Sequence, residues 1–145
     1  MSSPVPQNLA NHVRYDPLFH FFLLPVYLIS LIVSLTMLAR HRNLHMLGLV
    51  ILVLALVITN SKTRLYALKV QDRVIRLEER LRLTALLPDS LRAQIPKLSE
   101  KQLVALRFAS DEELPALAQR ALSEHLEPAG IKKAIRNWRP DYWRV

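Results

Sequence analysis

From Leu18 to Ala39 the chain runs 22 residues, LFHFFLLPVYLISLIVSLTMLA, without a formal charge. At 1.5 Å per helical residue this segment is about 33 Å long, the thickness of a bilayer's hydrocarbon core. A four-residue polar turn, Arg40-His41-Arg42-Asn43, separates it from a second uncharged run, Leu44 to Thr59. The second run covers only about 24 Å, so as a span it needs Arg42 and Lys62 to snorkel or the membrane to thin. Together they predict a transmembrane helical hairpin over residues 17–61, with spans at 18–39 and 44–61. A soluble core hairpin would need a polar face for water, and both runs are apolar all round. A cleaved signal peptide fits poorly, because a 16-residue lead precedes the first run and a second run follows directly. Both helices are therefore expected to remain in the mature protein. Pro17 suits a first helical turn, Asp16 can cap the free amides there, and Pro25 should bend the first span by freeing the carbonyl of Phe21.

The remainder of the chain must carry what the hairpin lacks. Of 145 residues 51% are hydrophobic, yet 20 Lys and Arg stand against 12 Asp and Glu, a net charge of +8. Seventeen of the 20 basic residues follow the second run. By the positive-inside bias the C-terminal part is expected in the cytoplasm, and two spans bring the polar N-terminal segment, residues 1–16, to the same side. The absence of cysteine excludes disulfides, iron–sulfur clusters and thiolate sites, and two glycines leave no room for phosphate-binding loops. An all-α protein is the default.

No helix breaker lies between Gly48 and Pro88. The second span is therefore expected to continue as one basic helix over 62–87. Ala67, Val70, Val74, Leu77, Leu81 and Thr84 follow a 3-4-3-4-3 spacing, a coiled-coil-like seam that wants a partner. Asp72 with Arg76 and Glu78 with Arg82 are spaced to pair at i,i+4. Residues 88–145 predict a small cytoplasmic helical domain. Ser99-Glu-Lys-Gln102 and Ser110-Asp-Glu-Glu113 are capping-box patterns that should open helices near 100–108 and 111–125. A last helix, IKKAIRNW, should stop at Pro140, leaving an extended strap. The two capping segments also resemble each other at an offset of eleven, with Leu103 matching Leu114 and Leu106 matching Leu117, which suggests one helical hairpin.

Few residues offer chemistry. His20, one turn into the first span, is the candidate ligand for a haem or a chlorophyll-type pigment, since an ionisable group inside a membrane is costly. No cofactor is required, and bound lipid is the other expectation. His41 and His45 have i,i+4 spacing, but Arg40 and Arg42 repel a cation there and no carboxylate is near. Ser30, Ser34 and Thr36 suit helix packing, and His12 and His125 belong to no constellation. Arg40, Arg42, Lys62, Arg64 and Tyr66 are placed for lipid headgroups, anionic ones above all. Val70, Val74, Leu77 and Leu81, with the aromatic and basic end Trp138, Arg139, Tyr142, Trp143 and Arg144, form the expected partner-binding set. Membrane attachment and a C-terminal charge of only +2 over 88–145 disfavour nucleic acid, and no acid–base pair or metal cluster suggests an enzyme or a small-molecule substrate.

Gln7-Asn-Leu-Ala-Asn-His12, Tyr66-Ala-Leu-Lys-Val-Gln-Asp-Arg-Val-Ile-Arg-Leu-Glu-Glu-Arg80, Gln102-Leu-Val-Ala-Leu-Arg-Phe-Ala-Ser-Asp-Glu-Glu113 and Arg136-Asn-Trp-Arg-Pro-Asp-Tyr-Trp143 carry a further signal. Through them the chain resembles, over nearly its full length, a family of small bacterial two-span membrane proteins labelled only as a domain of unknown function. The resemblance implies a bacterial inner membrane and supplies no catalytic residues. The function expected is that of a non-catalytic accessory subunit docked on a larger membrane complex, such as an electron-transfer or photosynthetic reaction-centre complex. The alternatives are a homo-oligomeric two-span channel, for which Ser30, Ser34 and Thr36 make a poor pore lining, and a membrane-tethered adaptor for a soluble partner.

Overall fold

The computed structural model describes residues 5–13 and 15–142 and is all-α among them, with one isolated β-bridge between Ala109 and Trp138. The chain forms two compact units. One comprises Tyr15–Lys69; the other joins the described residues up to Val13 with those from Val70 onward.

In the first unit, a π-helical turn over Leu18–Leu23 leads into helix α1, Leu24–His41. Pro25 explains the wide turn. Its ring removes the amide that would bond to Phe21, and the backbone just upstream pairs one residue further back, Leu24 N–H donating to the carbonyl of Phe19. The carboxylate of Asp16 accepts from the amides of Leu18 and Phe19 at 3.1 and 3.2 Å, the cap expected of it. α1 ends at His41 because Arg42 adopts a left-handed conformation, φ 43°, and Asn43 Oδ1 then accepts from Met46 N–H at 2.8 Å. Helix α2, Leu44–Leu86, starts on that cap and continues for 43 residues without interruption, about 64 Å. Both helices are long and apolar enough to cross a membrane. Phe21, Phe22, Ile29, Ile32, Ile51 and Leu52 point outward, whereas Ser34, Val50 and Val53 are buried. Ser34 satisfies its buried hydroxyl by donating to the carbonyl of Leu31. At the open end of the hairpin Arg64 lies 3.6 Å from Asp16 and stacks over Phe19.

In the second unit the last third of α2 is one wall of a small core. Short helices α3 (Asp89–Arg92), α4 (Glu100–Leu106), α5 (Leu114–Ser123) and α6 (Pro128–Ala134), with a 3₁₀ turn at Ile95–Lys97, complete it. Leu83 from α2 and Leu87 just past its end join Leu98, Leu103, Leu106, Phe108, Leu114, Leu117 and Ile131 in one buried cluster. Leu103 with Leu114 and Leu106 with Leu117 share this core, but Ala116 is exposed where Ala105 is buried, so the offset of eleven records two apolar faces only. The Ser99 capping box forms as expected, and Gln102 also donates to the carbonyls of Ala121 and Leu126, tying α4 to the end of α5. His125, at φ 50°, lets Leu126 N–H reach back to the carbonyl of Ala121 and closes α5.

Four local expectations are corrected. The Ser110 box does not form: Glu113 turns its carboxylate to the amides of Arg136 and Asn137, and helix begins only at Leu114, with Pro115 in its first turn. The last helix is Pro128–Ala134, because Pro128 is pre-set for a first turn and Ile135 is already extended. The i,i+4 ion pairs are also replaced. Arg76 bonds the backbone carbonyl of Asp72 and pairs with Glu100, and Arg82 takes Glu79 and Asp111 in place of Glu78. Finally, residues 5–13 of the N-terminal segment are no separate polar lead but part of the second unit. Gln7 exchanges hydrogen bonds with the backbone of Asp141 at 2.8 and 3.2 Å, and His12 packs on Phe108 and Trp138.

Burial on α2 separates two leucines six residues apart, Leu83 fully inside and Leu77 60% exposed. Leu83→Ala should cost about 2–5 kcal/mol and leave a cavity, whereas an exposed Leu77→Ala should cost less than about 0.5 kcal/mol of folding free energy. Thermal unfolding of the variants in a detergent that keeps the chain monomeric checks this; equal losses would mean that the two faces are assigned wrongly.

Candidate functional site

From Val70 on, α2 has two opposed faces. Ile75, Glu79, Leu83 and Leu87 turn into the small domain. Val70, Val74, Leu77 and Leu81 form a continuous outward stripe, each at least 48% exposed. Arg73 and Arg80 flank the stripe on one edge and Glu78 on the other, all exposed. A shallow groove of about 490 Å³ runs beside it, lined by Arg73, Val74, Arg76, Leu77, Arg80 and Glu100. Exposure of four large aliphatic side chains in a row on a helix to water is unfavourable, and a second helix of matching spacing would remove it.

Behind the stripe lies a charged cleft of about 720 Å³. Glu79 is its buried centre at 3% exposure, 3.2 Å from Arg82 and 3.5 Å from Arg139. Arg82 also donates to Asp111 and to the carbonyl of Ala109. Arg107 pairs with Asp141 at 3.1 Å and stacks on Phe108. These pairs bind α2 to the α4–α5 connection and to the strap. Each of these carboxylates faces a guanidinium.

The strap residues expected to hold a partner are engaged within the unit. Trp138 is half-buried against Phe108 and His12, and it pairs with Ala109 across the bridge. Arg139 donates its amide to the carbonyl of Phe108 and its guanidinium faces Glu79. Tyr142 donates its hydroxyl to the carbonyl of Val5. Residues 139–142 carry no helix, in line with the extended strap. Trp143 and Arg144 lie outside the described residues. His12, unassigned in the sequence, is the hub of this corner: its Nδ1 donates to the carbonyl of Leu9 and its Nε2 accepts from Lys132 at 3.1 Å. The signal that could have found it is weak, a histidine and an aromatic residue 126 positions apart.

In the first unit, His20 donates Nδ1–H to the carbonyl of Asp16 at 2.8 Å, with Tyr15 and Phe19 edge-on to its ring. That bond puts the lone pair on Nε2, the tautomer an axial ligand needs, and it also braces the first turn. Among the described residues no group of three or more His, Asp or Glu could hold a metal ion. Of the residues placed for lipid headgroups, Arg40, Arg42, Lys62 and Tyr66 are exposed, while Arg64 is turned to Asp16 and Phe19.

Burial holds the Glu79 carboxyl above the usual carboxylate range, opposed by the charges of Arg82 and Arg139. A folded-state value above the unfolded one means that this group's contribution to stability is complete below about pH 4.5 and is lost as pH rises through the folded value. Glu79→Gln should therefore gain on the wild type as pH rises above about 4.5, measured as the difference in Tm at each pH. A variant that falls further behind at neutral pH would show that the two arginines outweigh burial.

No curated protein and no solved structure matches the chain. A family model described as Family of unknown function (DUF6526) matches residues 1–145, the full length, and agrees with the resemblance seen in the sequence. A two-unit all-α chain with a pair of long apolar helices, an ion-paired head and an open apolar stripe is thus the form taken here by a member of DUF6526, the family to which this protein belongs.

Proposed function

We propose that this protein is a non-catalytic integral membrane subunit of the bacterial inner membrane, assembled into a larger membrane complex in which its exposed α2 stripe is a protein contact. The carrying observation is that stripe. α2 buries one face in its own domain and leaves Val70, Val74, Leu77 and Leu81 open on the other. Two helices of spanning length with outward apolar side chains support residence in a bilayer. The basic bias after the second run favours a cytoplasmic head, and two spans bring residues 5–13 to the side where they pack on that head. The ion pairs of the cleft join secondary-structure elements and present no activated nucleophile, which supports a structural role over an enzymatic one. An electron-transfer or photosynthetic complex is one kind of host, and the tautomer of His20 is the feature that would suit a pigment there.

Extraction in a mild detergent followed by native electrophoresis and mass spectrometry tests the proposal. The protein should migrate with other membrane proteins in fixed ratio, and Val74→Asp with Leu81→Asp should release it while both spans stay inserted, since unpaired carboxylates in a buried contact cost several kcal/mol. Unchanged migration of the double variant would remove the stripe from the assembly.

A further inference from the structure

The flanks of the stripe name its occupant. In heptad terms Val74 and Leu81 take position a, and Val70, Leu77 and Thr84 take d. Arg73 and Arg80 then fall at g, with Glu78 at e. The domain-facing residues Ile75, Glu79 and Leu83 fall at b, f and c, so the small domain leaves the a/d edge open. We infer that a second copy of this chain packs there, its α2 parallel and in register, as a short two-stranded coiled coil.

Charge selects that partner. In a parallel pair each g residue faces the e residue of the next heptad on the other helix, so Arg73 of one copy meets Glu78 of its partner, twice by symmetry. An antiparallel pair would set arginine edge against arginine edge and glutamate against glutamate. Copies inserted with the same topology can only meet with α2 parallel, which is the arrangement the charges prefer. Arg76 is held by Glu100 and Asp72 on the far side of the groove and does not crowd the seam. The inference rests on the stripe as the protein-contact face and deepens it: the unit that enters the larger assembly is a dimer.

The cysteine-free chain makes the test clean. Single-cysteine variants Leu77→Cys (d), Val74→Cys (a) and Asp72→Cys (f) of the full-length protein are oxidised in native membranes. Leu77→Cys and Val74→Cys should give a disulfide-linked species of twice the chain mass, and Asp72→Cys should not. Adding Arg73→Glu to Leu77→Cys should lower the cross-linked fraction about fivefold, as two attractive edge pairs become repulsive, and adding Glu78→Arg to both should restore it. A benzophenone–maleimide label on Leu77→Cys reports any other neighbour. Capture of a different protein with no species at twice the mass overturns the second copy while leaving the stripe a contact face. Equal disulfide yield from all three positions overturns the register, and no capture by either reagent overturns both the dimer and the contact face.

Discussion

Each residue of an α-helix is turned about 100° from the one before, so a long helix presents side chains in every direction and must find surroundings for all of them. α2 is 43 residues long without a break, and the rest of the molecule is arranged around its needs. Its first part buries only Val50 and Val53 and points Ile51, Leu52, Leu54, Leu56 and Ile58 outward. Its last part hides Leu83, with Leu87 just beyond its end, in a core that the short helices are too small to build without it. A change of surroundings partway along one helix is why a single element belongs to both compact units.

The small domain is held by contacts that are far apart in the chain. Its aliphatic core is thin, and its edges are closed by charge and by the chain's beginning. Glu79 is costly to bury as an anion, yet Arg82 and Arg139 reach it from α2 and from the strap, so the carboxylate binds two segments that share no other local reason to meet. His12 serves the opposite corner as a neutral ring, accepting from Lys132 and packing edge-on against Phe108.

The first unit shows how one residue shapes a helix. Pro25 leaves the carbonyl four residues earlier without its donor, and the chain answers with a π-helical turn that places His20 back over Asp16. Asp16 then has three tasks: it caps the first amides, accepts from His20 through its carbonyl and faces Arg64 across the hairpin. Arg64 had looked like a headgroup residue because position in sequence shows its distance from the apolar run but not which side of the helix it occupies.

By itself the sequence determined the two long apolar helices, the uninterrupted α2, the Asp16 and Ser99 caps and the apolar spacing of Val70 to Leu81. Each depends on interactions within a few residues: backbone hydrogen bonding, the missing amide of proline, and a periodicity that local geometry enforces. Only the tertiary structure decided that Glu113 serves Arg136 and Asn137 instead of Ser110, that Trp138 completes its own domain, and that Gln7 meets Asp141 at a separation of 134 residues. Those pairings are chosen by how distant segments close around a common core, and chain closure over such separations leaves no local pattern from which the partner can be read.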